Sequence, residues 1–381
     1  MTRRLAALMA ACATCALCAL SLGGRLYYFL AVLFAFTILF AFISCLWARH
    51  SLQCRLYIPS HKVQRGEEIT IQALMSHKCP LPLSSIVCTW HSHQGENSCD
   101  FPTAPFTDYE MDLSLQSSHV GSYTVSLDSL SVSDIFSLFC MKKKLKGQEG
   151  AYLVLPNPYP IDKPDILPGD DGSAPLGRTQ EDYNAPEDTR AYLPGDAMKR
   201  IHWKLSSRRR ELVVRRFEMP APPDTLILLD PSLPAAADEK DILFLRDALC
   251  ETAVAVAKLQ MEDGNPVRLP LHGKNATEFV SDQADGLNQL KEMLAGQPFS
   301  QPEDFGRILR LELRRMRRTG ASVIITTHLD AGIVEGISSI RRMGPSARLY
   351  LCTRTPEDPE LIPYISRLQH HLVEVCYVTP A

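Results

Sequence analysis

The fold of this chain is decided near its start, by LAALMAACATCALCALSL at residues 5–22 and LYYFLAVLFAFTILFAFISCLWA at residues 26–48. No charged side chain lies inside either run. Each run is close to the roughly 20 residues that an α-helix needs to cross the hydrocarbon core of a bilayer. The link Gly23-Gly24-Arg25 is too short to do more than reverse the chain. We therefore predict a transmembrane helical hairpin within residues 1–50, with two membrane spans.

Both outer ends of this hairpin must emerge on the same face of the membrane. Arg3 and Arg4 flank one end, and Arg49 and Arg55 flank the other. By the positive-inside rule, the face that carries these cations is the cytoplasmic one. We therefore expect a multi-pass protein of the cell membrane whose soluble part, residues 52–381, is cytoplasmic.

A secretory signal peptide is the alternative for the N-terminal run, because Arg3 and Arg4 followed by an apolar stretch imitate one. A lipoprotein version would use Cys12. Against both alternatives, a second apolar run follows at once. The twelve cysteines are scattered without paired spacing through a long chain, which fits a reducing compartment.

The composition is that of an ordinary folded protein, with 381 residues, 45% hydrophobic and 22% charged side chains, and a formal net charge of −3. This length is enough for two or three domains. The near-neutral charge balance gives no global reason to expect a nucleic acid as partner. We therefore predict no specific nucleic-acid partner, and any basic patch has to be argued locally.

Residues 52–156 have the pattern of a β-sandwich-like domain. Apolar and polar side chains alternate in short runs, for example at residues 68–74, 85–90 and 122–127. Glycine and proline separate the runs. Several short strands at this spacing are typical of a sandwich.

Four residues of this domain could be drawn as a zinc site, namely Cys88, His91, His93 and Cys99. Tetrahedral zinc sites usually show two closely spaced ligand pairs, which this pattern matches only loosely. We therefore expect no metal there.

Residues 157–187 are rich in proline, glycine and aspartate, and we predict a linker. The segment 188–218 then carries the most distinctive pattern of the chain. Pro194-Gly195 predicts a turn, and Asp196 is placed to cap a helix. Apolar residues at helical spacing follow, and three cations would form a basic stripe on that helix, namely Arg200, Lys204 and Arg208.

Residues 219–381 alternate strand and helix patterns. Apolar strands are predicted at residues 225–229, 267–271, 322–326, 348–352 and 372–378. Amphipathic helices are predicted between them, at about residues 237–262, 284–295, 303–318 and 356–370. This alternation favours a doubly wound α/β domain with a parallel sheet. Ligands of such domains bind at the carboxyl ends of the strands, where Asp230 and Ser232 follow the first strand here.

The segment 188–218 resembles a known bacterial and archaeal family, domain of unknown function 58, whose members carry a von Willebrand factor A-like domain. The matching residues are Arg190, Tyr192, Pro194, Gly195, Asp196, Arg200, His202, Trp203, Lys204, Ser206 and Arg208. Residues 134–139 are also similar to the family's Asp-Pro-Phe-Gly-Leu-Phe, from which Ile135 and Ser137 depart. The order of two spans, β domain, motif and A-like domain covers essentially the whole chain.

The resemblance implies a partner rather than a reaction. Members of the family are commonly found beside MoxR-type AAA+ ATPases. The implied function is that of a membrane-anchored, non-enzymatic assembly or adaptor protein in envelope-related processes. Binding of anionic lipid or nucleic acid through the basic segment 199–216 is the alternative. An enzyme is a further alternative, but the i, i+4 placement of His202 and Ser206 on a cationic helix leaves no acidic residue to orient the histidine and no oxyanion loop.

The resemblance also implies a metal loop, because A domains bind Mg²⁺ through Asp-x-Ser-x-Ser after the first strand. Here Pro234 occupies the position of the second serine and offers no side-chain oxygen. Asp230 and Ser232 alone could hold only a weakly bound, largely hydrated Mg²⁺. We expect no other cofactor.

We predict that the segment 188–218 is a clasp between domains rather than a catalytic loop, with Trp203 buried as its anchor. The alternative is that the segment presents the same residues outward as a docking surface for a partner protein.

Overall fold

A computed structural model describes residues 3–22, 24–161, 186–193, 198, 201–217, 224–232, 239–272, 276–297, 299, 304–316 and 319–379. The chain divides into two compact units, Met1–Leu155 and Pro156–Ala381. Most of the predicted linker 157–187 lies outside the described residues, as do Pro194, Gly195, Asp196 and Arg200.

The first unit begins with two apolar helices, α1 (Arg3–Leu22) and α2 (Arg25–Ser51). Each is long and apolar enough to cross a membrane. They run in opposite directions, since the Cys12 thiol of α1 donates to the Ala31 carbonyl of α2 while Leu5 shares a buried cluster with Ala41. Apolar side chains also cover the outside of the pair. The predicted pair of apolar helices is confirmed.

Nine strands follow in the continuously described part of this unit. They are β1 (Gln53–Tyr57), β2 (Lys62–Gln64), β3 (Glu68–His77), β4 (Leu83–Ser92), β5 (Gly95–Phe101), β6 (Thr107–Gln116), β7 (Gly121–Asp134), β8 (Cys140–Lys144) and β9 (Glu149–Leu155). One sheet has the order β1-β3-β6. The other has the order β2-β9-β7-β4-β5, with β8 paired to β7.

The two sheets of the first unit share one buried core. Alternate residues of β3 are buried, among them Ile71 and Met75, because successive strand side chains point to opposite faces. Ile86 of β4 and Leu130 of β7 belong to the same apolar cluster from the other sheet. The predicted all-β character of this region is confirmed.

The second unit alternates strands and helices. Its elements are β10 (Pro186–Ala191), α3 (Trp203–Arg209), β11 (Val213–Phe217), β12 (Asp224–Leu229), α4 (Glu239–Glu262), β13 (Val267–Leu271), β14 (Thr277–Ser281), α5 (Gly286–Ala295), α6 (Phe305–Leu313), β15 (Thr319–Thr326), α7 (Ala331–Arg342), β16 (Ser346–Cys352), α8 (Ile362–His370) and β17 (Glu374–Val378).

Six strands form the main sheet of this unit, in the order β14-β13-β12-β15-β16-β17. All neighbours pair in parallel except β13 and β14, which are antiparallel. The helices α6, α7 and α8 share one buried cluster with the sheet, and α4 contacts β12, β13, β15 and β16. The predicted parallel sheet is therefore confirmed at five strands. Sequence analysis missed the edge strand β14 and the helix α7.

The end of α8 has a backbone geometry that favours glycine. The Leu372 N–H donates to the Gln369 carbonyl at 2.9 Å, and the Val373 N–H donates to the Leu368 carbonyl at 3.1 Å. This pair of bonds is the Schellman motif, which places one residue in the left-handed region. Leu372 occupies that place with a φ of 59° and an exposed side chain.

Replacing Leu372 by glycine should therefore stabilise the protein. Glycine removes the steric strain of the left-handed conformation. This gain exceeds, by about 0.5–1 kcal/mol, the cost of the greater flexibility of glycine in the unfolded chain. We expect the Leu372→Gly variant to melt roughly 2 °C above the parent by calorimetry in mild detergent. The control Leu372→Ala keeps the β-carbon and should melt with the parent, and a glycine variant that also melts with the parent would contradict this account.

Candidate functional site

The family-like segment folds into a small element of two strands and one helix. β10 and β11 pair antiparallel, with Arg190 opposite Val214. The Tyr192 N–H extends this pairing by donating to the Leu212 carbonyl at 2.8 Å. α3 lies between the two strands in the chain and ends at Arg210, which has a left-handed φ of 56°.

Two residues considered as a base and a nucleophile, His202 and Ser206, hold this element together. His202 caps α3, since its Nδ1 accepts from the Leu205 N–H at 3.2 Å. The buried Ser206 hydroxyl accepts from the Val213 N–H at 2.9 Å. Both side chains thus satisfy backbone groups at a helix end and a strand start.

The helix of this segment starts later than the sequence predicted. Ile201 forms a β-bridge with Val214, so α3 begins only at Trp203. The proposed cap Asp196 and the first cation of the proposed stripe, Arg200, lie outside the described residues. The stripe on α3 itself therefore consists of Lys204 and Arg208, which are both exposed.

The outer surface of this element combines apolar and cationic side chains. Trp203 is 63% exposed, and Met198 and Leu212 are exposed as well. Four exposed cations accompany them, namely Lys204, Arg208, Arg209 and Arg210. We call these seven residues the motif patch. The indole of Trp203 faces outward from this element, so its own element does not bury it. The clasp between domains stays a prediction.

A second cluster of polar groups lies at the carboxyl ends of β12 and β15. Asp230 is fully buried there. One of its carboxylate oxygens accepts from the N–H of Ser232 at 3.0 Å and from the hydroxyl of Ser232 at 2.5 Å. The other accepts from the Thr326 hydroxyl at 2.6 Å. The loops that follow the neighbouring parallel strands β12 and β15 are therefore brought together.

Burial dominates the electrostatics of this cluster. It raises the pKa of Asp230, while the hydrogen bonds from Ser232 and Thr326 act in the opposite direction. His328 Nδ1 lies 3.6 Å from Asp230 Oδ2, and a protonated imidazole would favour the carboxylate. The buried hydroxyl of Thr327 has no hydrogen-bond partner among the described groups.

The donors described around Asp230 do not fit Mg²⁺. This ion requires near-octahedral oxygen ligands, usually with carboxylates among them. Asp330, the next carboxylate in the loop after β15, caps α7 by accepting from the Ile333 N–H at 2.7 Å. Pro234 lies outside the described residues. Across the described ranges, no group of three or more His, Cys, Asp or Glu residues has a geometry that could hold a metal ion.

The side chains that were considered as a zinc site in the first unit also contact other groups. Cys88 lies opposite Cys99 in the β4–β5 pair. His93 instead stacks near Tyr123 and bonds to the Tyr152 hydroxyl at 3.1 Å.

Sequence analysis missed the residue that completes a cysteine cluster. The buried Cys54 of β1 lies beside Cys88 of the opposite sheet, and this neighbour lowers the pKa of Cys54. Because that contact joins two sheets, no spacing along the chain could have predicted it.

Comparison with protein families gives a match to the part of the chain that contains the motif patch and the polar cluster around Asp230. Residues 188–346 match the family described as "Protein of unknown function DUF58". The DUF58 match contains the motif patch, Asp230 and Thr326. It begins at Asp188, where the family-like segment was predicted to begin. No curated protein matches the chain significantly.

Comparison with solved structures yields only low similarity scores. The CARDB domain of a Pyrococcus furiosus protein, in complex with di-metal ions, is 8% identical and has a TM-score of 0.21, with 27% of this chain and 89% of that chain covered. Cwp6 from Clostridium difficile is 11% identical, with a TM-score of 0.20 and coverage of 86% and 37%. Scores this low establish no common fold, so the DUF58 match remains the informative comparison.

Removing the charge of Asp230 should change the pH dependence of stability. A carboxyl group whose pKa is higher in the folded than in the unfolded protein contributes to folding stability below its unfolded pKa of about 3.9. This contribution is lost as the pH rises through the folded pKa. We therefore expect Asp230→Asn to melt close to the parent near pH 4 and roughly 3 °C above it at pH 7, the shift for about 1 kcal/mol.

The control for this experiment is Asp282→Asn, since Asp282 is an exposed carboxylate of the same unit. This variant should follow the parent at every pH in the same calorimetric series. If Asp230→Asn instead lost stability at pH 7, Asp230 would be an ionised group that supports the fold, and our account of the cluster would be wrong.

Proposed function

We propose that this protein is a membrane-anchored, non-enzymatic adaptor that docks a partner protein through the motif patch. The observation that carries the proposal is the exposure of Trp203 beside cations, within the segment that most resembles the DUF58 family. The proposed partner is a MoxR-type AAA+ ATPase, and residues 219–381 are proposed to form a von Willebrand factor A-like domain. Both of these finer assignments rest on the family resemblance.

The composition of the motif patch favours protein contacts. Tryptophan and arginine are enriched among the residues that contribute most to binding at interfaces, and methionine is enriched in interface cores. An indole that is 63% exposed contributes little to the stability of the free chain. Burying it against a partner would remove apolar surface from water. The four cations of the patch would favour an acidic surface on that partner.

Membrane anchoring is supported by the outer surface of α1 and α2. Leu20 is 86% exposed, and apolar side chains surround both helices. A helix that is apolar all round is expected inside a protein core or a bilayer. We propose that both helices span the cell membrane and that the cations near their outer ends place residues 52–381 in the cytoplasm.

We propose that the protein has no enzymatic activity, because its candidate catalytic side chains make structural hydrogen bonds. His202, Ser206 and Asp230 each bond to groups that hold helix or strand ends in place. No described hydrogen bond joins His202 to Ser206 as base and nucleophile. The Asp230 carboxylate does accept from the hydroxyls of Ser232 and Thr326, but it is fully buried. These side chains are therefore expected to position the patch rather than to react.

The proposal is tested by removing the exposed indole from the full-length protein. We expect Trp203→Ala to weaken the affinity for a purified MoxR-type ATPase of the same organism at least tenfold, because hot-spot tryptophans typically contribute about 2 kcal/mol or more. Binding would be measured by interferometry with the protein in nanodiscs. The melting temperature should stay within a degree or so of the parent, since the side chain is exposed.

The matched control is Tyr377→Ala, which removes another exposed aromatic ring from the same unit. It should leave ATPase binding unchanged. Unchanged binding by Trp203→Ala would contradict the proposal, as would a parent that binds no such ATPase. Salt-sensitive binding of the motif patch to acidic vesicles or nucleic acid, without ATPase binding, would favour the alternative function.

A further inference from the structure

The turn between β7 and β8 is a loop with apolar residues at its tip. We call residues 135–139 the tip loop. The fully buried Asp134 closes it, as its carboxylate accepts from the N–H groups of Phe136 at 2.9 Å and Phe139 at 2.6 Å. Ser137 adopts a left-handed φ of 54°, where the similar family sequence has glycine. The loop conformation is thus specified by its own hydrogen bonds.

The tip loop packs against the two apolar helices. The ring of Phe139 contacts the ring of Phe42 on α2, with centroids 5.5 Å apart in an edge-to-face arrangement. Leu138 shares a buried cluster with Leu5 of α1 and Ala41 of α2. The loop therefore touches both helices at the same level.

That level lies inside the apolar part of the hairpin. With a rise of 1.5 Å per residue, Phe42 lies about 13 Å before the end of α2 at Ser51 and about 7 Å before Trp47. Exposed tryptophans near helix ends prefer the headgroup region. Arg3 and Arg4, which directly precede Leu5, also belong at headgroup level. In a membrane-spanning hairpin, these anchors would place the tip loop at the boundary between headgroups and acyl chains.

The exposed chemistry of this region matches that boundary. Ile135 is 43% and Phe136 is 45% exposed, which is a high cost for two large apolar side chains in water. Lys142 and Lys144 are exposed on the adjoining strand β8. Lys143 donates to the carbonyl of Leu52, just past the end of α2, and holds β8 beside the helix end.

An apolar cavity continues the same surface along the helices. It has a volume of about 650 Å³ and is walled by both helices and the tip loop, with Met9, Ile38, Leu39, Phe42 and Phe139 in its lining. A cavity of this size and apolar character fits part of a lipid acyl chain.

We propose that the tip loop is a third membrane contact, which inserts Ile135 and Phe136 among lipid acyl chains while Lys142 and Lys144 bind acidic headgroups. The inference rests on the membrane anchoring in the proposed function and does not depend on the partner ATPase. Interfacial elements of this kind reach about 5–10 Å into the boundary region, which agrees with the level of Phe42. The loop would fix the orientation of the β unit on the membrane.

The experiment measures the depth of a tryptophan placed in the loop. Full-length Phe136→Trp would be reconstituted in phosphatidylcholine vesicles whose acyl chains carry bromine either near the headgroup or near the methyl end. We expect the added fluorescence to be quenched more strongly by the shallow bromine. The matched control Tyr57→Trp changes an exposed ring at the far end of β1 and should add unquenched fluorescence.

Native Trp47 separates the two ways in which this experiment could fail. If Trp47 in the parent is not quenched, the membrane anchoring itself is wrong and the inference is overturned with it. If Trp47 is quenched and the added fluorescence of Phe136→Trp is not, only the tip-loop inference is overturned.

The headgroup part is tested by lipid selectivity. Energy transfer from Trp47 to pyrene-labelled phosphatidylglycerol, compared with labelled phosphatidylcholine, reports local enrichment of the acidic lipid. We expect Lys142→Gln combined with Lys144→Gln to lower this enrichment by up to about fivefold per lysine. An unchanged enrichment would overturn the assignment of these lysines as headgroup ligands.

Discussion

The exposed apolar side chains of α1 and α2 are the constraint on which the rest of this structure depends. Their burial is favoured by about 25 cal/mol per Å² of apolar surface, and the described protein leaves most of that surface uncovered. We propose that a bilayer covers it, because both helices satisfy their backbone groups internally, as hydrocarbon requires. In this proposal the short connecting turn brings the two outer ends out together, so that all later residues would follow from one face of the membrane.

The polar chemistry of the second unit is largely used for its own folding. Asp230 accepts three hydrogen bonds from the loop and the neighbouring strand, and His202 and Ser206 satisfy backbone groups of α3 and β11. Groups held in this way are poorly placed to bind a metal ion or attack a substrate. The exposed indole of Trp203 has the opposite character, since nothing in its own fold requires it to face outward. This contrast is why we place function in contacts between proteins.

Sequence patterns predicted those elements whose burial is nearly complete. β12, β13, β15 and β16 are rich in apolar residues, and their predicted bounds differ from the observed ones by at most three residues. α7 was missed because glycine weakens its helical pattern. A side chain at Gly336 would come within 2.9 Å of Leu309 on α6, so the glycine reflects helix packing that sequence spacing does not reveal.

The sequence predicted where the candidate site lies in the chain, but it predicted less well what the residues of the site do. The segment containing Trp203 and the loop at Asp230 were both identified from their sequence patterns. Whether Trp203 points inward or outward depends on how β10, α3 and β11 pack, and an aromatic residue at helical spacing fits either orientation. For the same reason, the sequence could not predict the contact between Cys54 and Cys88, which joins separate sheets.

The central claim is that an N-terminal hairpin holds both units on the cytoplasmic face, and membrane topology is the most direct measurement of it. Alkaline phosphatase and green fluorescent protein would be fused after Leu56 and after Ala381 in a bacterial host. Phosphatase is active only outside the cytoplasm, whereas this fluorescent protein folds inside it. Our account predicts fluorescence without phosphatase activity at both positions. Phosphatase activity at either position would contradict it.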